Sequence, residues 1–318
     1  MSTRKLALIG TGMMGKLHAR VIGQSMQAEL VRVVDPNEEA ARPVVEQHGA
    51  EWTPEIGSLT GVDGVIVASA TETHHKLALE VIDLGKPVLV EKPLCGSLAE
   101  TKEVLATAER QGVPLMCGLL ERYNPAVLTA KALLEEPIHV IAQRHSPYAP
   151  RIKTGVAWDL LVHDVDLAIQ MFGGATPVHT IAEAGYFHPG SVEGAEDTVD
   201  AVLKFERGLA TVSASRVGQR KVRSMVISEL ERLIELDLLR RDVTIYKHIS
   251  HEGPTTGAPA YKQQTVIEIP QLTTIAEPLA TQLDRFLELI DGKIDIDGER
   301  KSILPSHEVV ADVLEQTH

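Results

Sequence analysis

The sequence predicts two domains: an α/β domain built on a doubly wound parallel sheet, and after it an α+β domain with a large open antiparallel sheet. Over the first 120 residues, short apolar runs alternate with helical patterns, which is typical of a parallel sheet covered on both faces. From about residue 136 onward, β-type runs follow one another closely with short turns, which predicts hairpins and antiparallel pairing. A chain of 318 residues is long enough for both domains, which we expect at 1–120 and 121–318.

Five apolar runs in the first domain are predicted strands, and their nearly unbroken apolar character suits a sheet buried on both faces. They are KLALIG (5–10), LVRVVD (30–35), GVIVAS (64–69), PVLVEK (87–92) and PLMCG (114–118). Amphipathic patterns between them predict helices over 13–24, 38–48, 74–84 and 98–111. Gly85 and Gly112 follow the last two helices, where a left-handed residue commonly ends a helix.

The second domain is predicted to contain one helix followed by a series of strands. The helix spans about 156–172 and ends at Gly173-Gly174. The β-type runs after it lie at 178–187, 197–206, 209–217, 222–228, 231–238 and 242–248, and a further strand is expected before it at 138–146. The segment SHEGPTTGAPA (250–260) is predicted to be a flexible loop. Helices are expected at 278–290 and 306–316, and the C-terminal one is a candidate to pack back on the first domain.

The composition is that of an ordinary globular protein, with 44% hydrophobic and 24% charged residues. A net charge of −13 argues against a protein that binds the phosphate backbone of nucleic acids. Two cysteines, Cys95 and Cys117, are no disulfide framework and fit a reducing compartment. No apolar run approaches the ~18 residues of a membrane span, and the N-terminus lacks a signal-peptide pattern. We therefore expect a cytoplasmic protein without a nucleic-acid or membrane partner.

A glycine motif lies between the first strand and the first helix. Residues 10–15 read GTGMMG, so Gly10, Gly12 and Gly15 form G-x-G-x-x-G, and Asp35 ends the next strand 20 residues after Gly15. This is the dinucleotide-binding fingerprint of a Rossmann domain. The first glycine permits a tight turn, the second lets the backbone approach a pyrophosphate, and the third allows close packing. The alternative is a set of glycines that serve only a tight turn.

The acidic residue after the second strand predicts NAD as the cofactor. Asp35 would accept hydrogen bonds from a ribose diol and repel a 2′-phosphate. NADP is the less favoured alternative, because Arg32 or another basic group would tolerate that phosphate. Further candidate contacts lie in the glycine turn and at the ends of the later strands: Met13, Met14, Ser69, Ala70, Thr71, His74, Glu91 and Lys92. For the start of the helix near residue 71, helix capping by Thr71 or Thr73 is the alternative role.

The run PVLVEK ends in Glu91-Lys92-Pro93. Ligands of an open parallel sheet bind beyond the carboxyl ends of its strands, so the topology delivers Lys92 to that edge. A lysine there would hydrogen-bond a substrate oxygen and stabilise negative charge that develops on it. The alternative is a surface lysine at a strand end.

The stretch WDLLVHDVD (158–166) concentrates three carboxylates and a histidine. On a helix, Asp159, His163 and Asp166 lie at i, i+4 and i+7 on one face, whereas Asp164 points away and is expected to be solvated or capping. Asp166 supports either function or structure. A metal-dependent hydrolase or oxygenase is one alternative, but non-haem iron and zinc sites usually have more nitrogen or sulfur ligands than one histidine supplies. We therefore expect no metal.

Five segments together resemble a known family. GTGMMG, Asp35, ASATETHHKLALEVIDLGKPVLVEKPL, CGLLERYNPA and WDLLVHDVDLA are similar, in order and spacing, to the glucose–fructose oxidoreductase, inositol dehydrogenase and rhizopine-catabolism family. The resemblance runs through nearly the whole chain. It implies a catalytic constellation of the EKP lysine and a D-x-x-x-H pair, which correspond to Lys92, Asp159 and His163. The pieces ERYNP and IELDLLRRDV resemble the branch of UDP-N-acetylhexosamine 3-dehydrogenases.

The same resemblance implies the substrate side of the site. Glu121 and Arg122 would face the substrate, with an interdomain salt bridge as the alternative role. On the strand at 138–146, Gln143 and His145 share one side and are further substrate candidates. The family also implies a homodimer or homotetramer, and an exposed face of the antiparallel sheet is the expected interface.

The expected function is hydride transfer between the nicotinamide of NAD(P) and a secondary alcohol or ketone of a sugar, nucleotide sugar or cyclitol. His163 would take the hydroxyl proton, Asp159 would orient the imidazole or bind a neighbouring hydroxyl, and Lys92 would anchor the reacting oxygen. One alternative is a keto-sugar reductase that uses these residues in the other direction. Another is a non-catalytic dinucleotide-binding sensor on the same fold, which would be expected to lack the lysine or the histidine.

Overall fold

The structure is a computed structural model that describes residues 3–150, 152, 154–192, 194–252 and 261–317. The chain divides into two compact units. Unit 1 comprises Met1–Tyr123 and Ala276–Ala311, and unit 2 comprises Asn124–Ile275 and Asp312–His318. The first boundary lies close to the expected one at residue 120, but a long C-terminal segment groups with unit 1.

The secondary structure alternates regularly in unit 1 and becomes strand-rich in unit 2. Within the described residues the helices are α1 (Met13–Gln24), α2 (Glu38–His48), α3 (Thr71–Asp83), α4 (Leu98–Gln111), α5 (Pro125–Leu133), α6 (Val162–Met171), α7 (Pro278–Ile290), α8 (Ile296–Lys301) and α9 (Leu304–Thr317). The strands are β1 (Arg4–Ile9), β2 (Ala28–Val34), β3 (Glu51–Thr53), β4 (Gly64–Val67), β5 (Val88–Glu91), β6 (Leu115–Gly118), β7 (His139–His145), β8 (His179–Gly185), β9 (Thr198–Phe205), β10 (Gly208–Ser215), β11 (Val222–Ser228), β12 (Leu233–Asp237), β13 (Asp242–Glu252) and β14 (Tyr261–Glu268).

Unit 1 contains a parallel sheet with the strand order β3-β2-β1-β4-β5-β6. The order reverses between β1 and β4, which is the switch point at which doubly wound sheets bind their ligands. The predicted α/β fold class is thus confirmed. The short strand β3 was not predicted, because three residues are too few to show a period. Helix α3 begins three residues before its predicted start, since its first turn (TETH) is polar.

Helix ends in unit 1 follow local chemistry. The side chain of Asn37 accepts a hydrogen bond from the backbone N–H of Ala40 at 3.2 Å, and Ser97 caps α4 in the same way. Gly112 ends α4 in the left-handed region, with φ 66°, as predicted. These caps satisfy backbone groups that have no partner within the helix.

The core of unit 1 joins the early sheet to a helix from the end of the chain. Leu8, Ile66 and Leu89 of the sheet belong to one buried cluster with Phe286 and Leu283 of α7. A Cβ on Gly64 would lie 2.6 Å from Ile290 of α7, so β4 and α7 pack closely. The predicted helix 278–290 is confirmed, and its packing explains why the C-terminal segment belongs to unit 1.

Unit 2 contains, within the described residues, an eight-stranded sheet in the order β14-β13-β12-β11-β7-β10-β9-β8. All neighbouring pairs are antiparallel except β7 and β10, which run parallel. The predicted α+β class is confirmed with this one exception. It arises because α6, β8 and β9 lie between β7 and β10 in the chain, so these two strands are not joined by a hairpin. Helix α5 and strand β14 were not predicted. Strand β13 continues to Glu252, and the rest of the predicted loop 250–260 lies outside the described residues.

The two faces of this sheet differ in cover. Helix α6 packs against β7 and β10, and the β7 residues on that face, such as Ala142 and Arg144, are buried. On the other face, one cross-strand row runs through Ile181, Val202, Thr211, Ile141 and Val226. Ile181, Val202 and Ile141 in this row are 57%, 36% and 38% exposed. A single chain therefore leaves an apolar surface of this sheet open to solvent.

No helix in the described part of the chain combines the length and the apolar character that crossing a bilayer requires.

Candidate active site

A cavity of about 930 Å³ lies at the carboxyl ends of β1, β2 and β4 in unit 1. This volume is in the range of small-molecule and cofactor sites. Seven of the predicted cofactor contacts line it: Gly10, Gly12, Met13, Met14, Asp35, Ser69 and Ala70. The topology and the glycine motif therefore lead to the same place.

The glycine turn has the geometry that the fingerprint requires. Gly10 has φ 92°, and a Cβ on Gly15 would lie 2.0 Å from the carbonyl oxygen of Gly10, so both positions need glycine. A Cβ on Gly12 would meet nothing within 4 Å, because this residue faces the cavity. No side chain caps the start of α1, which leaves its first N–H groups available to a phosphate. These features fit the pyrophosphate of a dinucleotide.

Asp35 is fixed on the cavity wall by three hydrogen bonds. Its Oδ2 accepts from the backbone N–H and the hydroxyl of Thr11, at 2.8 and 2.7 Å, and its Oδ1 accepts from the backbone N–H of Asn37 at 2.9 Å. Thr11 was not singled out in the sequence, although it lies inside the glycine motif. These hydrogen bonds give the carboxylate a defined orientation on the cavity wall.

The charges around the cavity disfavour a second phosphate on the ribose. Asp35, Glu55 and Glu80 line it together with one lysine, Lys76. Arg32, the residue that would have tolerated NADP, instead donates to Glu51 at 2.8 Å and to the carbonyl of Ser58. The cavity is therefore better suited to NAD than to NADP.

Other predicted cofactor contacts lie outside the lining of this cavity, within the described residues: Gly15, Thr71, His74, Glu91 and Lys92. Thr71 is the first residue of α3, and no side chain caps this helix. The hydroxyl of Thr73 instead donates to the carbonyl of Ala70 at 2.7 Å and lies 2.7 Å from the hydroxyl of Ser69. Helix capping, the alternative role of Thr71 and Thr73, is therefore not observed.

Three buried histidines surround the turn that carries Lys92. The Nε2 of His18 on α1 lies 2.7 Å from Glu91 Oε1, and the Nδ1 of His74 on α3 lies 2.9 Å from the carbonyl oxygen of Pro93. The backbone N–H of Leu94 donates to Nε2 of His307 on α9 at 3.0 Å. His307 Nδ1 lies 2.9 Å from the carbonyl of Ile303, which sets its tautomer.

These contacts hold the Glu91 side chain before Lys92 and the backbone of Pro93 and Leu94 after it. Lys92 is itself half-buried. Sequence reasoning identified His74 and Glu91 as cofactor contacts, whereas the structure places both in this hydrogen-bonded support. His18 and His307 were missed, since a lone histidine on a helix carries no local signal of its partner.

The predicted substrate residues of unit 1 lie next to its C-terminal segment. Arg122 donates to the hydroxyl of Ser302 at 2.7 Å and to its carbonyl oxygen at 2.8 Å. Glu121 is buried, with 8% of its surface exposed. Both residues belong to a 3₁₀ turn, Leu120–Tyr123, that follows β6.

In unit 2, Asp159 and His163 lie on either side of a change in helix type. Asp159 belongs to a π-helical turn, Ala157–Leu161, and His163 to the first turn of α6. The single regular helix predicted over 156–172 is therefore wrong in its first turn. Such π turns are rare in proteins as a whole, but those that occur often lie at functional sites.

Glu196 holds the beginning of this π turn. Its carboxylate accepts from the backbone N–H of Ala157 at 2.7 Å, and its carbonyl accepts from that of Val156 at 3.0 Å. A Cβ on Gly155 would collide with the same carboxylate at 2.2 Å. Glu196 was not predicted, because the sequence around it (EGAED) shows only a polar loop.

The next residue, Asp197, organises the loop before β9. Burial by itself raises the pKa of its carboxyl group, but hydrogen bonds from Ser191, His188 and Phe187 outweigh that effect and lower the pKa. Asp197 is therefore ionised at neutral pH and fixes the loop that adjoins Glu196.

Two arginines pair with aspartates of the WDLLVHDVD stretch. Arg216 Nη2 lies 2.6 Å from Asp159 Oδ2, and Arg144 contacts both oxygens of Asp164 at 2.8 and 2.9 Å. The prediction that Asp164 is solvated or capping is wrong, since it is 1% exposed and faces the sheet. Asp166 is also buried, at 2% exposure.

Gln143 lies on the other face of the sheet from these residues. Its neighbour Arg144 points toward α6, and because side chains alternate along a strand, Gln143 points away and is exposed. His145 Nε2 lies 2.9 Å from the hydroxyl of Ser213. The structure therefore does not bring Gln143 to the side of the sheet on which Asp159 and His163 lie.

In the described part of the chain, no group of three or more His, Cys, Asp or Glu side chains is arranged to hold a metal ion.

Burial raises the pKa of the Cys95 thiol to about 12, which leaves it protonated near neutral pH and makes it a poor nucleophile.

The doubly wound sheet, its glycine turn and the carboxylate on the cavity wall define a dinucleotide-binding protein with a separate α+β unit. Residues 4–119 match the family model described as an oxidoreductase family with an NAD-binding Rossmann fold, and residues 128–229 match the GFO/IDH/MocA C-terminal domain. The chain belongs to this oxidoreductase family, as the motifs predicted. NAD is accordingly its cofactor.

Several relatives are similar over much of the chain. The UDP-N-acetylglucosamine 3-dehydrogenase of Acidithiobacillus ferrooxidans is 28% identical over 90% of this chain and 88% of its own. A solved structure of that enzyme superposes with a TM-score of 0.84 at 25% identity, covering 100% of this chain and 98% of the other. The scyllo-inositol 2-dehydrogenase (NAD(+)) of Bacillus subtilis is 32% identical over 53% of this chain and 54% of its own.

Proposed function

We propose that this oxidoreductase transfers a hydride between NAD and a secondary alcohol or ketone of a sugar, nucleotide sugar or cyclitol. The observation that carries the proposal is the cavity of unit 1, where the glycine turn and Asp35 form a cradle for a dinucleotide. A UDP-linked N-acetylhexosamine is the preferred substrate, because the relative that acts on one is similar over 90% of the chain. An inositol is the second candidate, because an inositol dehydrogenase reaches 32% identity over a shorter stretch.

We assign the chemical roles to Lys92, Asp159 and His163. Bound NAD supplies the hydride acceptor. His163 takes the hydroxyl proton as a general base, for which an imidazole is suited near neutral pH. Lys92 donates a hydrogen bond to the reacting oxygen and stabilises its alkoxide character. Asp159 orients the imidazole or accepts a hydrogen bond from a neighbouring hydroxyl.

The test is a substrate panel with NAD, followed by the absorbance of reduced nicotinamide. It contains UDP-N-acetylglucosamine, UDP-N-acetylgalactosamine, the free sugars, and myo- and scyllo-inositol. We expect turnover with at least one of them. Absence of turnover across the panel, together with NAD binding and no reaction of the corresponding ketones with NADH, would favour the non-catalytic sensor instead. Turnover only of the ketones with NADH would favour a reductase.

The assigned roles are tested by Lys92→Ala and His163→Ala. Each variant should lose a factor of about 100 or more in kcat, the usual contribution of positioned acid–base and electrostatic groups, while NAD binding persists. NAD binding is the matched control, because neither side chain lines the cavity that would hold the adenosine half. Wild-type turnover in either variant would refute its role.

We further infer that the protein works in the cytoplasm as a homodimer or homotetramer. The buried positions of Cys95 and Cys117 support a reducing compartment. The apolar row through Ile181, Val202 and Ile141 supports binding of a second copy of the chain, since a monomer rarely leaves such a patch uncovered.

A further inference from the structure

One arginine, Arg216, links the end of β10 to the π turn that contains Asp159. Its Nη2 lies 2.6 Å from Asp159 Oδ2, and its Nη1 donates to the carbonyl oxygen of Thr154 at 2.5 Å. Its backbone N–H donates to the carbonyl of Asp197 at 2.7 Å. The guanidinium therefore spans the entrance and the middle of the segment from which Asp159 projects, and its own backbone is held as well.

The burial of the two partners is unequal. The side chain of Arg216 is 5% exposed, whereas that of Asp159 is 24% exposed. The second pair on the same segment differs, because both partners, Arg144 and Asp164, are almost fully buried, at 2% and 1% exposure. A buried arginine is costly to desolvate, and a partner of fixed geometry offsets that cost. At Arg216 the buried charge is directed at a carboxylate that still reaches solvent.

We propose that Arg216 is a positioning residue for Asp159 and acts on the reaction through it, an inference that rests on the proposed function. The permanent charge of the guanidinium stabilises the ionised carboxylate, and its fork holds one carboxylate oxygen in place. Held in this way, Asp159 works as an oriented hydrogen-bond acceptor. Its direction toward His163 or a substrate hydroxyl is set by Arg216 together with the Thr154 carbonyl.

The first test compares Arg216→Gln and Arg216→Lys in steady-state kinetics. We expect kcat to fall by about 100-fold in Arg216→Gln, the scale of loss when a reacting group is misplaced by about 1 Å. Arg216→Lys should lose less, because it keeps the charge but not the fork. The KM for NAD should stay unchanged, since the residues that line the cavity for the adenosine half all belong to unit 1.

The second test is a double-mutant cycle with Asp159→Asn. If Arg216 acts through Asp159, Arg216→Gln should cost less than about threefold in kcat once the carboxylate is gone, because the two effects are not additive. A purely structural arginine would cost the same factor in both backgrounds. An equal factor in the two backgrounds would overturn the proposal.

Chemical rescue keeps the proposal testable if one variant folds poorly. Millimolar guanidinium should restore part of the kcat of a folded small-residue variant, Arg216→Ala, and sodium chloride at equal ionic strength should not. The matched control is Arg144→Lys, which weakens the other arginine–aspartate pair. It should lower the Tm at least as much as Arg216→Lys, with kcat within about threefold of wild type. A kcat loss in Arg144→Lys as large as in Arg216→Lys would overturn the proposal, because general loosening of the segment would then explain both.

The outcomes of these tests can be distinguished from a failure of the proposed function. A wild-type protein with no turnover on any substrate contradicts the function itself. An active wild type whose Arg216→Gln variant is folded and equally active contradicts only the role of Arg216.

Discussion

At the residue scale, Asp35 is the carboxylate expected to contribute most to the choice between NAD and NADP. Asp35 is held by Thr11 and Asn37 on the wall of a cavity whose other acidic side chains are Glu55 and Glu80. Arg32 is engaged elsewhere, with Glu51. Asp35 is thus the carboxylate that both repels a 2′-phosphate and offers acceptor oxygens to a ribose diol, while Glu55 and Glu80 add negative charge to the same cavity.

We predict that Asp35→Ser raises the ratio of kcat/KM for NADP to that for NAD by about 10-fold to 100-fold. This range corresponds to the roughly 1.5–3 kcal/mol of a hydrogen bond to a charged group. Kinetics with both cofactors measure it. The control is Glu38→Ser on α2. Glu38 carries the same charge as Asp35 but lies outside the cavity lining, so its removal should leave the ratio unchanged. An unchanged ratio in Asp35→Ser would mean that another group selects the cofactor.

Also at the residue scale, the Arg144–Asp164 pair stabilises unit 2 only while both partners are present. Arg144→Met should destabilise the protein by about 3–5 kcal/mol, because it leaves the Asp164 carboxylate buried without its guanidinium. Adding Asp164→Leu should recover most of that loss, since an apolar pair of similar volume is often neutral. Urea unfolding compares the three proteins, and a double variant no more stable than Arg144→Met would contradict this account.

At the element scale, the glycines in the turn from β1 to α1 have different roles. Gly15 packs against the carbonyl of Gly10, so that helix and strand can approach. A Cβ on Gly12 would meet nothing within 4 Å, and this residue borders the cavity. The first position serves the fold, and the second serves the ligand.

We predict opposite consequences for alanine at these two positions. Gly15→Ala should lower the Tm markedly, because its Cβ would lie 2.0 Å from a backbone oxygen. Gly12→Ala should keep the Tm within a few degrees but weaken NAD binding by about tenfold or more, since its methyl group stands where the pyrophosphate approaches. Thermal unfolding and NAD titration of both variants check this, and equal NAD affinity in Gly12→Ala and wild type would exclude this approach of the phosphate.

At the scale of the whole molecule, one face of the sheet of unit 2 leaves apolar side chains open to solvent. Ile181, Val202, Thr211, Ile141 and Val226 lie side by side across five strands. On the opposite face, α6 packs against β7 and β10. An isologous pairing of two copies would bury the row without any change in the chain.

Ile141→Glu is predicted to shift the protein from dimer or tetramer toward monomer. The charge would lie near the middle of the apolar row, where burial without a partner is costly. Light scattering over a concentration series measures the mass. Leu230→Glu is the control, because Leu230 is 82% exposed in the turn between β11 and β12, outside the row. A wild-type protein that is monomeric at all concentrations would refute the assembly.

The fold was predictable wherever its signals are local. The strands β1, β4, β5 and β6 followed from unbroken apolar runs. Helix α5 was missed although Asn124 and Pro125 mark its start, and the side chain of Asn124 accepts from Ala126 at 3.1 Å. The sequence therefore does carry a local signal for the start of α5. The parallel pairing of β7 with β10 had no such signal, because a strand has the same alternating pattern whether it pairs with its neighbour in a hairpin or with a more distant strand.

The candidate site divides in the same way. Gly10, Gly12, Asp35 and Ser69 were predicted and line the cavity, since each follows a strand at a characteristic spacing. Asp164 was misjudged because helical phase gives the direction of a side chain but not what lies in that direction. The assignments of Lys92, Asp159 and His163 stay predictions until the variants are measured.

The sequence by itself determined the two fold classes, the dinucleotide cradle and the family, because periodicity and motif spacing act over a few residues. Only the tertiary structure decided what supports the proposed reacting residues. Arg216 reaches Asp159 across 57 residues, and Leu94 meets His307 across 213. Such contacts depend on how the chain folds back on itself, and a buried arginine or histidine has no local pattern that names its partner.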